Sequence, residues 1–131
     1  MIRINHIALQ YPNSGLAHEF FVGVLGCAPI KAFSISPKLS RSLFGIEKEV
    51  RAESFSNGDM TFEIFFAQKG LKQGYEHICI EVPDINEIFA SCRKLGIKTI
   101  VAQKDGRELY FIRDKAGYLY EIKAVSEAPD G

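Results

Sequence analysis

Apolar and polar positions along this chain follow one plan twice. Residues 2–9 read as a strand that is apolar on both faces. Pro12, Asn13 and Ser14 interrupt it, and Asn13 or Ser14 can cap a following helix. Across residues 15–25, Leu16, Phe20, Phe21, Val24 and Leu25 fall at helical spacing, and Gly26 suits a left-handed stop. A strand is predicted over 29–35, a polar loop around Pro37 over 36–42, and a strand region over 43–55. Asn57-Gly58 is a hairpin turn signal, followed by an aromatic-rich strand over 60–67 and a glycine-bearing linker over 69–74.

The plan then restarts. Residues 75–82 read as a strand, and Pro83-Asp84 turns into a helix over 85–95. Its stripe is Ile85, Ile88, Phe89, Cys92 and Leu95, with Gly96 as the stop. Strands are predicted over 97–102, 108–113 and 118–125, with turns at Gly106 and at 114–117 and a frayed tail over 126–131. Strand, helix and three strands, stated twice, describe an internal duplication and an α+β fold. Module one covers about residues 1–68 and module two about 75–125, within one domain of 131 residues.

Composition narrows the function. Formal net charge is zero, so no long-range field draws the chain to nucleic acid or to an acidic membrane. The apolar runs are too short to span a bilayer, and Met1-Ile2-Arg3-Ile4 does not open a signal peptide. Cys27, Cys79 and Cys92 are odd in number and form no Cys-x-x-Cys pair, so neither a disulfide framework nor a zinc-thiolate site is suggested. A cytoplasmic protein acting on a small molecule is the expectation.

The chemistry lies in four residues at matching points of the two halves. His6 sits in Asn5-His6-Ile7-Ala8-Leu9, and His77 in Glu76-His77-Ile78-Cys79-Ile80. Glu63 lies in Thr61-Phe62-Glu63-Ile64-Phe65, and Glu121 in Leu119-Tyr120-Glu121-Ile122. Strand alternation sets Glu63 opposite Phe62 and Ile64, His77 opposite Ile78 and Ile80, and Glu121 opposite Tyr120 and Ile122. Three of the four thus leave the helix-facing side, while for His6 alternation is silent. A carboxylate among aromatics is costly if dry and unpaired, and a histidine or a cation removes that cost. Two facing half-sheets would bring two imidazoles and two carboxylates to one point. That mixed set suits a divalent ion such as Ni, Co, Zn, Fe or Mn, with waters completing an octahedron. A single strand histidine is more often a packed core residue, and a single strand glutamate more often solvated; the duplication makes the quartet a site. His18, between Ala17 and Glu19, reads as a surface residue, and Cys79 as filler.

These stretches, with Phe20-Phe21-Val22-Gly23-Val24-Leu25-Gly26 and the run from Phe111 through Asp114-Lys115-Ala116-Gly117 to Ile122, resemble the vicinal oxygen chelate superfamily. It is also called the glyoxalase, bleomycin-resistance and dioxygenase family. The resemblance implies two βαβββ modules whose sheets curl around a metal cleft, with ligands at His6, Glu63, His77 and Glu121. Glutamate at the second ligand position is similar to glyoxalase I. That implies a metal-dependent lyase or isomerase acting through an enediolate on a substrate with vicinal oxygens. Glu121 or Glu63 would be the general base. Leu9 and Ala67 stand where bacterial glyoxalase I has an arginine and an asparagine that contact glutathione, so the thiol is in question. The same scaffold also carries epimerases, including a methylmalonyl-CoA epimerase with glutamine at the second position, dioxygenases, and metal-free binding proteins of the bleomycin-resistance type. Four intact ligands argue against the last. A homodimer is the implied assembly.

Overall fold

The structure is a computed structural model that describes residues 1–68 and 74–125. The chain forms two compact units, Met1–Gly70 and Leu71–Gly131. Each unit is built on one four-stranded mixed sheet, and the α+β class read from the sequence is the one observed. Of the expected linker and tail, residues 69–73 and 126–131 lie outside the described residues.

In the first unit, β1 (Ile7–Tyr11) leads into a short helix, α1 (Ser14–Ala17), that continues as a π-helical turn over His18–Val22. β2 (Ala28–Ile35), α2 (Pro37–Phe44), β3 (Val50–Ser56) and β4 (Thr61–Phe66) follow. The spatial order is β1-β4-β3-β2, with β1 parallel to β4 and the other pairs antiparallel. Parallel pairing needs a long crossover, which the helix and the β2–β3 excursion supply.

Three expectations are corrected here. The first strand begins at Ile7, so His6 stands one residue outside it. The helix expected over 15–25 is wound wider than an α-helix. The Gly23 and Leu25 amides reach back five residues, to the carbonyls of His18 (3.1 Å) and Phe20 (3.0 Å). Glycine is required at 23, because a Cβ there would collide with the Glu19 carbonyl oxygen. The wide turn lets the neighbours Phe20 and Phe21 both be buried. Residues 36–42 are not a loop but most of α2. Ser36 caps it by accepting from the Leu39 amide, Pro37 occupies the first turn, and Gly45 closes it at φ 72°. α2 also takes Leu43 and Phe44 from the expected strand region, and β3 starts at Val50.

Phe21 centres the core of this unit. Its ring lies 5.3 Å from Tyr11, 5.1 Å from Phe20, 5.5 Å from Phe55 and 5.0 Å from Phe62. Burying one such side chain contributes about 2–3 kcal/mol, and each favourable ring pair adds about 0.5–1.5 kcal/mol. Tyr11, Phe55, Phe62 and Ile64 thus face the helical layer, and strand alternation sends Ala8, Ala52, Ser54, Glu63 and Phe65 to the other face.

The second unit keeps the predicted order. It runs β5 (Ile78–Val82), α3 (Ile85–Leu95), β6 (Lys98–Lys104), β7 (Arg107–Arg113) and β8 (Leu119–Ala124), with spatial order β5-β8-β7-β6. β5 is parallel to β8 and begins at Ile78 rather than 75. The carboxylate of Asp84 accepts from the Asn86 and Glu87 amides at the start of α3, and Gly96 ends the helix at φ 74°. Ile80, Val82, Phe89, Cys92, Ile112, Tyr120 and Ile122 are buried together beneath α3.

A buried carboxylate aims β8. Asp114 accepts from the Ala116 amide (3.0 Å), the Tyr118 amide (2.8 Å) and the Tyr120 hydroxyl (2.9 Å). Gly117 supplies the positive φ (97°) that lets the turn close. Tyr120 is wholly buried and precedes Glu121, so this clamp fixes the strand that carries the carboxylate. Asp114→Ala leaves three donors without an acceptor, one of them buried with Tyr120. It is expected to lower the unfolding free energy by about 2–4 kcal/mol in urea titration, with Asp114→Asn losing less.

Candidate metal centre

Register places the histidines beside the glutamates. Ala8 lies opposite Glu63 in the β1–β4 ladder, and Cys79 lies opposite Glu121 in the β5–β8 ladder. His6 and His77 each stand two residues before those partners, and a step of two keeps a side chain on the same face. His6 Nε2 is 3.5 Å from Glu63 Oε2, and His77 Nε2 is 3.7 Å from Glu121 Oε1. Alternation in β1, silent for His6 in the sequence, is settled by this contact. In both pairs the carboxylate is the more buried partner. The structure therefore joins His6 to Glu63 and His77 to Glu121, each pair within its own unit. Among the described residues no three His, Cys, Asp or Glu side chains cluster as a metal site, so each unit supplies a pair of donors.

The other ring nitrogen fixes what each pair can do. His77 Nδ1 donates to the Tyr75 carbonyl oxygen at 2.9 Å, and His6 Nδ1 donates to Asn5 Oδ1 at 2.9 Å. Both oxygens are acceptors, so the neutral imidazoles carry their proton on Nδ1 and present an Nε2 lone pair to a carboxylate. In that neutral form the Nε2 lone pair and the anionic oxygen repel, and separations of 3.5 and 3.7 Å are longer than an ordinary N–H···O hydrogen bond. A cation between them turns repulsion into ligation. Nitrogen and oxygen donors bound at about 2.1 Å to one divalent ion stand about 3.0–3.4 Å apart for cis or tetrahedral placement, close to what is seen. The Nδ1 partner is the outer hydrogen bond that orients a ligating histidine. The donor set thus fits a divalent ion.

A third histidine gives the contrast. His18, expected on the surface, is part-buried: its Nε2 lies 2.9 Å from Glu53 Oε2, and its ring packs edge-on against Phe55 at 5.1 Å. Glu53 Oε1 also accepts from the Ser14 hydroxyl at 3.1 Å. Glu53 shares its face with Phe55, so this closed pair belongs to the helix side of the sheet. Its signal was legible: Ser14 and His18 are four apart, on one face of a helix, and Glu53 alternates in phase with Phe55.

Of three arginines that could pair with an anion, Arg41, Arg51 and Arg113, two are engaged elsewhere. Arg41 pairs with Glu47 at 3.4 Å on the surface, and Arg113 donates to the Gly117 carbonyl at 2.9 Å. Arg51 is exposed.

Cys79 is the exposed one of three free thiols. Partial desolvation and the Glu121 carboxylate hold its pKa above the ordinary value, and Glu81 adds to this against Lys123. In metal-free protein near pH 8, alkylation by iodoacetamide is expected to be slower than for a free thiol. Glu121→Gln removes one anion, lowers the thiol pKa and is expected to speed the reaction about two- to fivefold. Buried Cys27 and Cys92 are expected to react only on unfolding.

The fold has many solved likenesses. The fosfomycin resistance protein FosX of Listeria monocytogenes superposes with a TM-score of 0.73, covering 97% of this chain and 96% of that one at 14% identity. A variant of that protein solved with Mn(II) and 1S,2S-dihydroxypropylphosphonic acid gives 0.71, with 97% and 96% covered at 18% identity. Among curated proteins, human mitochondrial methylmalonyl-CoA epimerase is 25% identical, covering 92% of this chain and 73% of that protein. The family model described as Glyoxalase/Bleomycin resistance protein/Dioxygenase superfamily matches residues 3–122 and so spans both sheets. With its two like units, each a mixed sheet of four strands, the chain belongs to that superfamily.

Proposed function

We propose that His6, Glu63, His77 and Glu121 are the ligand set of one divalent ion (Ni, Co, Zn, Mn or Fe). In this reading the protein is a metal-dependent lyase or isomerase of the glyoxalase type, acting on a small substrate with vicinal oxygens. The observation that carries it is the repeated open pair, an Nε2 lone pair set 3.5 or 3.7 Å from a carboxylate at the same register point of each unit. A divalent ion held there would supply a Lewis acid that polarises a substrate carbonyl. The chain's own part is proton transfer. Glu63 or Glu121 takes a proton from the carbon beside the carbonyl and delivers it to the adjacent carbon. The Nδ1 hydrogen bonds orient each ring and leave Nε2 as the nitrogen that would ligate. The Mn(II) in the FosX structure supports a divalent ion on this scaffold. A cytoplasmic homodimer completes this reading.

A second reading is favoured by the curated relative, an epimerase 25% identical over nearly the whole chain. There the two carboxylates would take and return a proton at a single carbon, inverting it. The substrates separate the two: a methylglyoxal–thiol hemithioacetal for the lyase, a 2-methyl-branched acyl thioester for the epimerase.

Purified protein is expected to hold about one transition metal per chain by elemental analysis. His77→Ala and His6→Ala are each expected to lose it with circular dichroism unchanged. Protein that takes up none of the five metals would remove the reading. Turnover in deuterium oxide is expected to place solvent deuterium on the product carbon, and Glu→Gln at the base to lower kcat by a hundredfold or more.

A further inference from the structure

The two units share their placement of histidine and glutamate but differ in what surrounds it. In the second unit the row across the sheet through Glu121 is Cys79, Glu121, Phe111 and Ile100. In the first unit the corresponding row through Glu63 is Ala8, Glu63, Ser54 and Lys31. Where one unit sets a phenyl ring and a branched alkyl group, the other sets a hydroxyl and an ammonium. The next row on the same face is Gln10, Phe65, Ala52 and Phe33.

That second row is aromatic and carries the cation at its edge. Phe65 packs against Phe33 at 6.2 Å and against Phe44 of α2 at 5.7 Å, both edge-on. Lys31 Nζ lies 5.4 Å from the centre of the Phe33 ring. Such a contact favours placement of the ammonium over the ring. Among the described residues Lys31 has no carboxylate within ion-pair distance, whereas Arg41 of the same unit has Glu47. Phe44 remains 52% exposed, and Leu39 and Leu43 on α2 add exposed apolar surface. Strand spacing puts the Lys31 backbone about 10 Å from that of Glu63, about the length of a small organic acid.

We propose that Lys31 with Phe33, Phe65 and Phe44 forms a substrate subsite for an anionic group carried on a flat or branched apolar body, such as an aryl or branched-chain carboxylate. The anion pairs with the ammonium and the apolar body lies against the rings, while the reacting end of the molecule reaches Glu63. This rests on the reading of the His6–Glu63 face as the substrate side of the reaction. It adds the class of substrate: one charge of its own besides the vicinal oxygens.

The test uses the full chain freed of metal by a chelator, so that no probe can bind through an ion. Phenylacetate, benzyl alcohol and acetate are titrated separately and followed by amide chemical shifts in NMR. Phenylacetate is expected to bind more tightly than either fragment and to shift residues around Phe33 and Phe65. Lys31→Met keeps the apolar stem and removes the charge. It is expected to weaken phenylacetate about three- to tenfold and leave benzyl alcohol unchanged, and Lys31→Arg is expected to restore it. The gain of phenylacetate over benzyl alcohol should shrink as salt rises. Phenylacetate no tighter than benzyl alcohol, shifts centred elsewhere, or an unaffected Lys31→Met variant would each overturn the subsite. Metal uptake by the same protein is scored apart. Uptake without phenylacetate binding fails the subsite alone, and binding without uptake fails the metal reading alone.

Discussion

When two strands pair parallel and in register, each side chain stands beside one defined neighbour, and its companions on that face lie two residues away. In both units the strand that opens the sheet pairs in this way with the strand that closes it. A histidine two residues before Ala8 or Cys79 therefore reaches the glutamate opposite that residue. The proposed ligation depends on this pairing. A slip of one residue in β4 or β8 would turn the carboxylate into the packed helix side, toward Phe21 and Phe55 or toward Phe89 and Cys92, where an unpaired charge costs several kcal/mol. Two features hold the register. Alternate residues of β4 and β8 are wholly buried, and the Asp114 clamp fixes the start of β8.

Not every histidine–carboxylate contact implies a ligand, and the molecule contains its own control. His18 and Glu53 sit at 2.9 Å, closed by a hydrogen bond, packed on Phe55 and joined by Ser14. That pair satisfies itself and leaves nothing for an ion to do. His6–Glu63 and His77–Glu121 are the opposite case, with Nδ1 bonded to an oxygen and Nε2 standing 3.5 and 3.7 Å from the carboxylate. The difference follows from position. Glu53 lies on the face covered by α1 and its π-helical continuation, where packing brings partners together, while Glu63 and Glu121 lie on the opposite face of their sheets.

Much of this was legible in the sequence because it rests on periodicity. The helix over 85–95 carries a full apolar stripe between an aspartate cap and a glycine stop, and it is observed with those limits. The strands of the second half follow from alternation. The first half was harder because its local signals are short. Ser36-Pro37 starts a helix and Gly45 ends one, yet only eight residues lie between, too few for a clear stripe. The π-helical turn is invisible to a search at 3.6 residues per turn, and its only trace is Gly23, four residues after a carbonyl that a Cβ would strike. The flanking isoleucines extend the apolar runs, so the sequence predicts strands that include the histidines. In the structure Ile2 and Ile4 are exposed and unpaired in any ladder, and pairing begins only after His6. The histidine–glutamate proximity was legible as a repeated placement; the tautomers behind its chemistry were not, because they depend on the Tyr75 carbonyl and the Asn5 side chain.

Duplication explains why the pairs match, and divergence explains why their surroundings do not. Under the proposed four-ligand reading, two identical half-sites would present a substrate with a symmetric field and no preferred direction. Here the row through Glu121 is apolar beyond the carboxylate, while the row through Glu63 ends in a hydroxyl and an ammonium. Chemistry that moves a proton from one carbon to its neighbour needs the substrate held one way round, since the two carboxylates would otherwise exchange roles. A charge on one side of a duplicated frame meets that need without disturbing the ladders that place the donors.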